Sequence, residues 1–89
     1  MTDKDIEILK DLSETHNITK TAQRLFTTQS ALTKRIQSIE QELGCSLFIR
    51  SKKGVFLTPI SEAILPYVRT IQQNLSQIRS LAANPEGEL

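Results

Sequence analysis

The fold of this chain is decided by residues 17–50, which read NITKTAQRLFTTQSALTKRIQSIEQELGCSLFIR. The stretch predicts a short helix from Asn17 to about Leu25, a polar turn, and a second helix over about residues 28–43. Apolar residues recur in the second helix at spacings of four, three and four, and they therefore share one face: Leu32, Ile36, Ile39 and Leu43. The opposite face begins with polar side chains: Thr28, Gln29, Ser30, Thr33, Lys34 and Gln37.

The polar side chains of this second helix are suited to contact DNA. Most are short hydrogen-bonding groups that can touch a base edge, and the cation of Lys34 can hold a phosphate or a guanine. A helix with outward N-terminal polar residues, braced by a short preceding helix, is the layout of a helix-turn-helix motif. We therefore predict a recognition helix, residues 28–43, that enters the major groove of double-stranded DNA. The same residues could also form only a solvated helix face.

The distribution of charge favours the DNA-binding interpretation. The 89 residues carry a net charge of only +1. Residues 17–58, however, contain seven Lys and Arg against two Glu, which is a local charge of +5. The cations therefore lie where the helix-turn-helix pattern lies, as expected for a protein that binds a polyanion.

Two short β-type runs follow the recognition helix and predict a hairpin. They are residues 47–50 and 55–57, separated by a Gly-containing loop with Lys52 and Lys53 at its tip. Two strands alone are marginally stable, so the hairpin should lie on the helices as a wing, with its lysines at the minor groove or the phosphates. With a first helix ending near Glu14, the predicted fold is mainly α: a winged helix-turn-helix, made of a three-helix core and a two-stranded β wing, followed by a long linker helix.

The linker helix is expected to begin at Pro59, capped by Thr58, and to end near Ala83. Apolar residues at spacings of four and three form a seam along it: Ile64, Val68, Ile71, Leu75, Ile78 and Ala82. A domain of this size cannot cover so long a seam, so we predict a dimerisation helix whose first turns pack on their own domain. Pro66 predicts a kink. The predicted divisions are residues 1–58, the DNA-binding domain, 59–84, the linker helix, and 85–89, a terminal tail.

Other classes of function find little support in the sequence. No run of 18 apolar residues exists, which argues against a membrane span, and the single Cys45 fits a reducing cytoplasm. No nucleophile–base pair, metal-ligand set or glycine-rich phosphate loop predicts an enzyme, a metal site or a cofactor. The remaining alternative is a protein-interaction module that assembles through the linker coiled coil. Such a surface would more often carry aromatic or Leu side chains at the positions of Gln29, Thr33 and Lys52.

Taken in order, these residues resemble the N-terminal winged helix-turn-helix domain of LysR-type transcriptional regulators. The matching positions are Thr19, Ala22, Leu25, Thr28-Gln29, Ala31-Leu32-Thr33, Ile36, Glu40, Leu43-Gly44, Leu47-Phe48, Arg50 and Leu57-Thr58. The family usually has Pro at Ser30, two Ala at Lys20-Thr21, and Ala-Gly at Ile60-Ser61. These departures leave the apolar pattern intact and affect the expected base preference.

The resemblance implies a bacterial cytoplasmic regulator that binds an interrupted inverted repeat of double-stranded DNA as a homodimer. It implies antiparallel pairing of the linker helices, and a small-molecule effector that binds only through a C-terminal domain absent from these 89 residues. Arg50 would hold the DNA backbone at the base of the wing. The complete predicted contact set is Thr19, Thr28, Gln29, Ser30, Thr33, Lys34, Arg35, Arg50, Lys52 and Lys53.

Overall fold

The structure, a computed structural model, describes residues 1–84. Its elements follow in the order α1 (Asp3–Thr15), α2 (Ile18–Arg24), α3 (Gln29–Leu43), β1 (Phe48–Ser51), β2 (Gly54–Leu57) and α4 (Pro59–Ala83). This order confirms the predicted winged helix-turn-helix followed by a long helix. The predicted tail, residues 85–89, lies outside the described residues.

Each helix begins at a side chain that accepts a hydrogen bond from a backbone N–H of the first turn. These side chains belong to Thr2, Asn17, Thr28 and Thr58. Such capping satisfies N–H groups that have no partner inside the helix, which is why short polar residues mark the helix starts in the sequence. At the other end of α3, Gly44 takes the left-handed conformation with φ 71°, as predicted for a helix-ending glycine.

The core lies between α1, α2, α3, the wing and the start of α4, in two neighbouring clusters. One cluster contains the buried residues Ile8, Leu12, Ala22, Leu32, Ile36 and Val55. The other contains Ile6, Leu9, Ile39, Leu47 and Val68. The predicted inward face of α3 is therefore confirmed, except that Leu43 is 40% exposed at the end of α3.

The wing is fixed to the recognition helix at its base. Its two strands are antiparallel, with Phe48 opposite Leu57 and Ser51 opposite Gly54. Oε2 of Glu40 in α3 accepts hydrogen bonds from the backbone N–H groups of Leu47 at 2.6 Å and Phe48 at 3.3 Å. This carboxylate satisfies the donors of the chain as it enters β1, so the direction of the hairpin is set by α3.

The beginning of α4 packs on its own domain, as predicted for its first turns, and this packing removes Val68 from the predicted dimerisation seam. Val68 is only 2% exposed and belongs to the second core cluster, against which Ile64 is also partly buried. Further along the helix, Arg79 forms an ion pair with Asp3 of α1, with 2.7 Å between Nη2 and Oδ2. Pro66 does not end α4, and the kink expected there stays a prediction.

Candidate nucleic-acid interface

The first turns of α3 present a polar strip to solvent, as predicted. Thr28, Gln29, Ser30 and Lys34 are exposed, and Thr33 is partly buried. On the opposite side of the same helix, Leu32, Ile36 and Ile39 are buried in the core. The core residues thus fix the rotation of α3 about its axis, and that rotation turns the polar side chains outward together.

A hydrogen bond joins the polar strip to the preceding helix. Nε2 of Gln29 donates to the hydroxyl oxygen of Thr19 in α2. The amide of Gln29 is therefore held in one orientation, with its carbonyl oxygen and its second N–H group free for another partner. An amide in this state can accept and donate at the same time, which is the pattern that glutamine uses on the edge of an adenine.

The turn between the two helices brings these residues together. Phe26 has a left-handed backbone with φ 57°, and its side chain is 97% exposed. The next N–H, of Thr27, donates to the carbonyl oxygen of Ala22 at 2.9 Å, which closes the turn at the end of α2. The chain then enters α3 at Thr28, whose hydroxyl caps that helix.

A second hydrogen bond joins the polar strip to the wing. Nη2 of Arg50 in β1 donates to the hydroxyl oxygen of Thr33 at 2.8 Å. The two residues line a cleft of about 380 Å³ between α3 and the wing, together with the partly buried Ile18. Arg50 is exposed, so its remaining N–H groups can bind an anion in this cleft.

The wing tip adds two further cations, which lie close to Arg50. Lys52 and Lys53 are exposed between the two strands. With Arg50 they line a second cleft, of about 410 Å³, between the wing and the turn that joins α1 to α2. Arg50 contributes to both clefts, and it thus connects the polar strip of α3 to the lysines of the wing tip.

Arg35 stands apart from the other predicted contact residues. Its Nε donates to Oδ1 of Asp5 in α1 at 2.5 Å, and its Nη2 donates to Oδ2 of Asp5 at 3.2 Å. The Asp5 side chain is buried, whereas the Arg35 side chain is partly exposed. This bidentate pair commits Arg35 to holding α3 against α1, so the guanidinium has a structural role that the sequence analysis did not assign to it.

The pair also determines the ionisation of Asp5. Burial is the largest influence and opposes the charged form of the carboxyl group. The hydrogen bond from Arg35, the hydrogen bond from the backbone N–H of Thr2 and the charge of Arg35 together outweigh it. The pKa of Asp5 is therefore lowered from its ordinary value of 3.8.

Two further features concern a functional surface. His16 contacts the wing, a role that the sequence analysis did not assign to it. An exposed apolar face runs along α4 at helical spacing; its large exposed members are Ile60, Tyr67, Ile71, Ile78 and Leu81. Among residues 1–84, no helix is both long enough and apolar enough to span a bilayer, and no group of three or more His, Cys, Asp or Glu side chains could hold a metal ion.

Comparison with known proteins gives matches over most of the chain. A family profile described as "Bacterial regulatory helix-turn-helix protein, lysR family" matches residues 4–62. The transcriptional activator IlvY of Haemophilus influenzae is 39% identical over 85 residues, which cover 96% of this chain and 29% of IlvY. The chain spans about three tenths of the length of this and similar curated relatives.

Solved structures of DNA complexes have the same fold. The CbnR_DBD–DNA complex matches with a TM-score of 0.81 and 32% identity, covering 93% of this chain and 98% of the other. The BenM_DBD/benA site 1 DNA complex matches with a TM-score of 0.88 and 27% identity, covering 94% of both chains.

Proposed function

Because this chain belongs to the LysR family of bacterial helix-turn-helix regulators, we propose that it binds specific sequences of double-stranded DNA as the DNA-binding part of a transcriptional regulator. One observation carries the proposal: the exposed polar strip of α3 is hydrogen-bonded at both sides, to Thr19 of α2 and to Arg50 of the wing. A solvated helix face has no need of such bracing. Side chains that must meet base edges benefit from being held in place before they bind.

The residues divide by the part of the DNA that they contact. Gln29, Ser30 and Lys34 face the major groove and contact base edges, with Thr28 at the start of the helix. Arg50 binds the phosphate backbone beside Thr33, and the wing lysines bind phosphates or the minor groove. Thr19 contributes indirectly, because its hydroxyl group holds the amide of Gln29 in place. Arg35 is left out of the set because Asp5 holds its guanidinium.

The second part of the proposal is a homodimer formed through α4. The exposed apolar face of this helix continues beyond the last contact with the core at Val68. Ile71 and Ile78 are exposed and Leu75 is half-buried, so two copies can cover each other along this stretch. Twofold symmetry then places two recognition helices on two half-sites of an inverted repeat. Val68 is not part of this interface.

The activity of the whole regulator is also a proposal. The relatives are transcriptional regulators about three times the length of this chain. We infer that the domain works in the cytoplasm as one part of such a regulator, in which a further domain binds a small-molecule effector. The alternative, a protein-interaction module, gains no support from the polar and cationic character of the α3 strip.

Selection of bound duplexes from a randomised DNA pool tests the function directly. Recovery of an interrupted inverted repeat supports base readout and the dimer together. Recovery of a single half-site supports the recognition helix and contradicts the dimer through α4. Absence of any enriched sequence contradicts specific binding. The matched control is the Gln29→Ala variant, which keeps the charge and fold but lacks one proposed base contact.

A further inference from the structure

We infer that His16 is a positioning residue for DNA binding: it holds the wing against the end of α1 and so places Lys52 and Lys53 at the DNA backbone. The inference rests on the proposed function, because it concerns the contribution that the wing makes to affinity. His16 does not face the recognition helix and is not proposed to touch DNA. It acts through the strand that carries the wing tip.

Two hydrogen bonds join His16 to the same residue of β2. The backbone N–H of Val55 donates to the carbonyl oxygen of His16 at 3.0 Å. In the opposite direction, Nδ1 of His16 lies 3.1 Å from the carbonyl oxygen of Val55, so the ring nitrogen is the donor. A third strand would bond to both the N–H and the C=O group of Val55 with its backbone; here the backbone and the ring of one residue bond to them.

The imidazole ring adds a contact with the next residue of the strand. It stacks on the ring of Phe56, with 5.4 Å between the centroids and an angle of 26° between the planes. Phe56 is 43% exposed, and the stacked imidazole covers part of its surface. The ring of His16 therefore fixes both the carbonyl of Val55 and the side chain that follows it.

The backbone at this contact is unusual on both sides. His16 has a left-handed conformation with φ 53°, which turns its carbonyl group toward the wing. Gly54 has φ 133°, and a Cβ atom at this position would lie 2.5 Å from the carbonyl oxygen of His16. The close approach of the two segments thus requires glycine at 54, directly after the wing-tip lysines.

Without the His16 side chain the wing would still be held by the backbone hydrogen bond from Val55 to residue 16, by the Arg50–Thr33 hydrogen bond, and at its base. Glu40 binds the chain at the start of β1, and Thr58 binds the carbonyl oxygen of Ser46 after β2 ends. Val55 is also buried in the core, so the hairpin should still fold. The strand that carries the tip, however, would lose one of its two hydrogen bonds to His16 and the stacked imidazole ring. The lysines would then be ordered only when DNA binds, and the cost of ordering them would reduce affinity.

Three variants separate this role from a general effect on stability. His16→Gly keeps the left-handed backbone but removes the ring and its donor. His16→Asn also tolerates that backbone, and its amide nitrogen lies at the same distance along the side chain as Nδ1. Phe56→Ala removes only the stacked partner, at an exposed position, and it replaces His16→Gly if that variant does not fold. Thermal unfolding of each variant shows whether it is folded at the assay temperature.

The experiment measures the affinity of the 89-residue chain for a mixed-sequence duplex of about 30 base pairs, long enough for two half-sites, as salt is raised. We expect His16→Gly to bind about fivefold to tenfold more weakly, and its logarithmic salt slope to fall by about one to two, because one or two phosphate contacts are lost. His16→Asn should lie closer to the wild type. In a background that already carries Lys52→Ala and Lys53→Ala, His16→Gly should cause no further loss.

Either of two results would overturn the inference. One is a salt slope for folded His16→Gly, or for Phe56→Ala in its place, equal to that of the wild type. The other is an equal loss of affinity with and without the wing lysines, which would mean that His16 acts independently of them. Failure of the wild-type chain to bind any duplex would instead contradict the proposed function, so the two failures are distinguishable.

Discussion

The carboxylate of Asp5 in α1 is held by the guanidinium of Arg35 in α3 through two hydrogen bonds, of 2.5 Å and 3.2 Å. Arg35 directly follows Lys34, which is exposed on the polar strip. One helical turn therefore carries two neighbouring cations with different roles. Arg35 fixes the orientation of the recognition helix, and Lys34 is available to contact DNA.

The same substitution to Met should affect stability at Arg35 and DNA affinity at Lys34. Arg35→Met leaves the buried carboxylate of Asp5 without its main partner, so we expect the free energy of unfolding to fall by about 1–3 kcal/mol. Lys34→Met should change it by less than about 0.5 kcal/mol, because the site is exposed. DNA affinity, measured where each variant is folded, should fall for Lys34→Met only. A loss of affinity for Arg35→Met would return Arg35 to the contact set.

The Asp5–Arg35 pair also predicts how stability depends on pH. Because the pKa of Asp5 is lowered in the folded chain, the pair contributes its full stability above the ordinary value of 3.8 and loses it as pH falls through the lowered pKa. Urea unfolding at a series of pH values should show a difference between the wild type and Asp5→Asn that shrinks below pH 3.8. A difference that stays constant down to the acid limit would contradict this assignment.

Base contacts and phosphate contacts should separate in a comparison of Gln29→Ala with Lys52→Ala. Gln29→Ala should cost about 1–3 kcal/mol of binding free energy and relax the preference at one base pair of a selected duplex. Lys52→Ala should weaken binding to selected and mixed-sequence duplexes alike, and lower the salt slope by about one. Equal losses on both duplexes for Gln29→Ala would show that its side chain contacts only the backbone.

Thr19 is expected to contribute to specificity without touching a base. Thr19→Val keeps the shape of the side chain but cannot accept the hydrogen bond from Gln29. We expect part of the discrimination lost in Gln29→Ala to be lost in Thr19→Val as well, and the double variant to be no worse than Gln29→Ala alone. Additive losses in this double-mutant cycle would indicate that Thr19 makes its own contact with DNA.

Two apolar positions of α4, Val68 and Ile78, should differ in what they stabilise. Ile78→Asp places a charge on the exposed face, so it should shift the chain from dimer to monomer in sedimentation experiments while the domain remains folded. Val68→Ala should lower the free energy of unfolding by roughly 2 kcal/mol, since it leaves a cavity in the core, and should not prevent dimerisation of the folded chain. A dimer that survives Ile78→Asp unchanged would contradict pairing through this face.

Features that depend on nearby residues could be predicted from the sequence. Thr28 and Thr58 cap the helices that follow them, and Gly44 ends α3, because caps involve residues only a few positions apart. The buried and exposed faces of α3 followed from the spacing of its apolar residues. The DNA-contact set itself stays a prediction.

Features that depend on distant residues could not be predicted in the same way. The partner of Arg35 lies 30 positions away, and the partner of His16 lies 39 positions away. In the sequence, Val68 and Ile71 both belong to the apolar seam of α4, because a spacing of three or four places both residues on one side of a helix. The spacing alone does not show which of the two is buried in the core. Only the packing of α4 against α1 decides that Val68 is covered by its own domain.

The continuity of α4 has a mechanical consequence for the proposed dimer. Its 25 residues form an element about 37 Å long, attached to its own domain at Val68 and at the Arg79–Asp3 ion pair. If the helices cross near Leu75, a change of roughly ten degrees in their crossing angle displaces the start of each helix at Pro59, about 24 Å away, by about 4 Å, or roughly one base-pair step. The distance between the two half-sites in DNA would thus depend on the angle at which the two α4 helices cross.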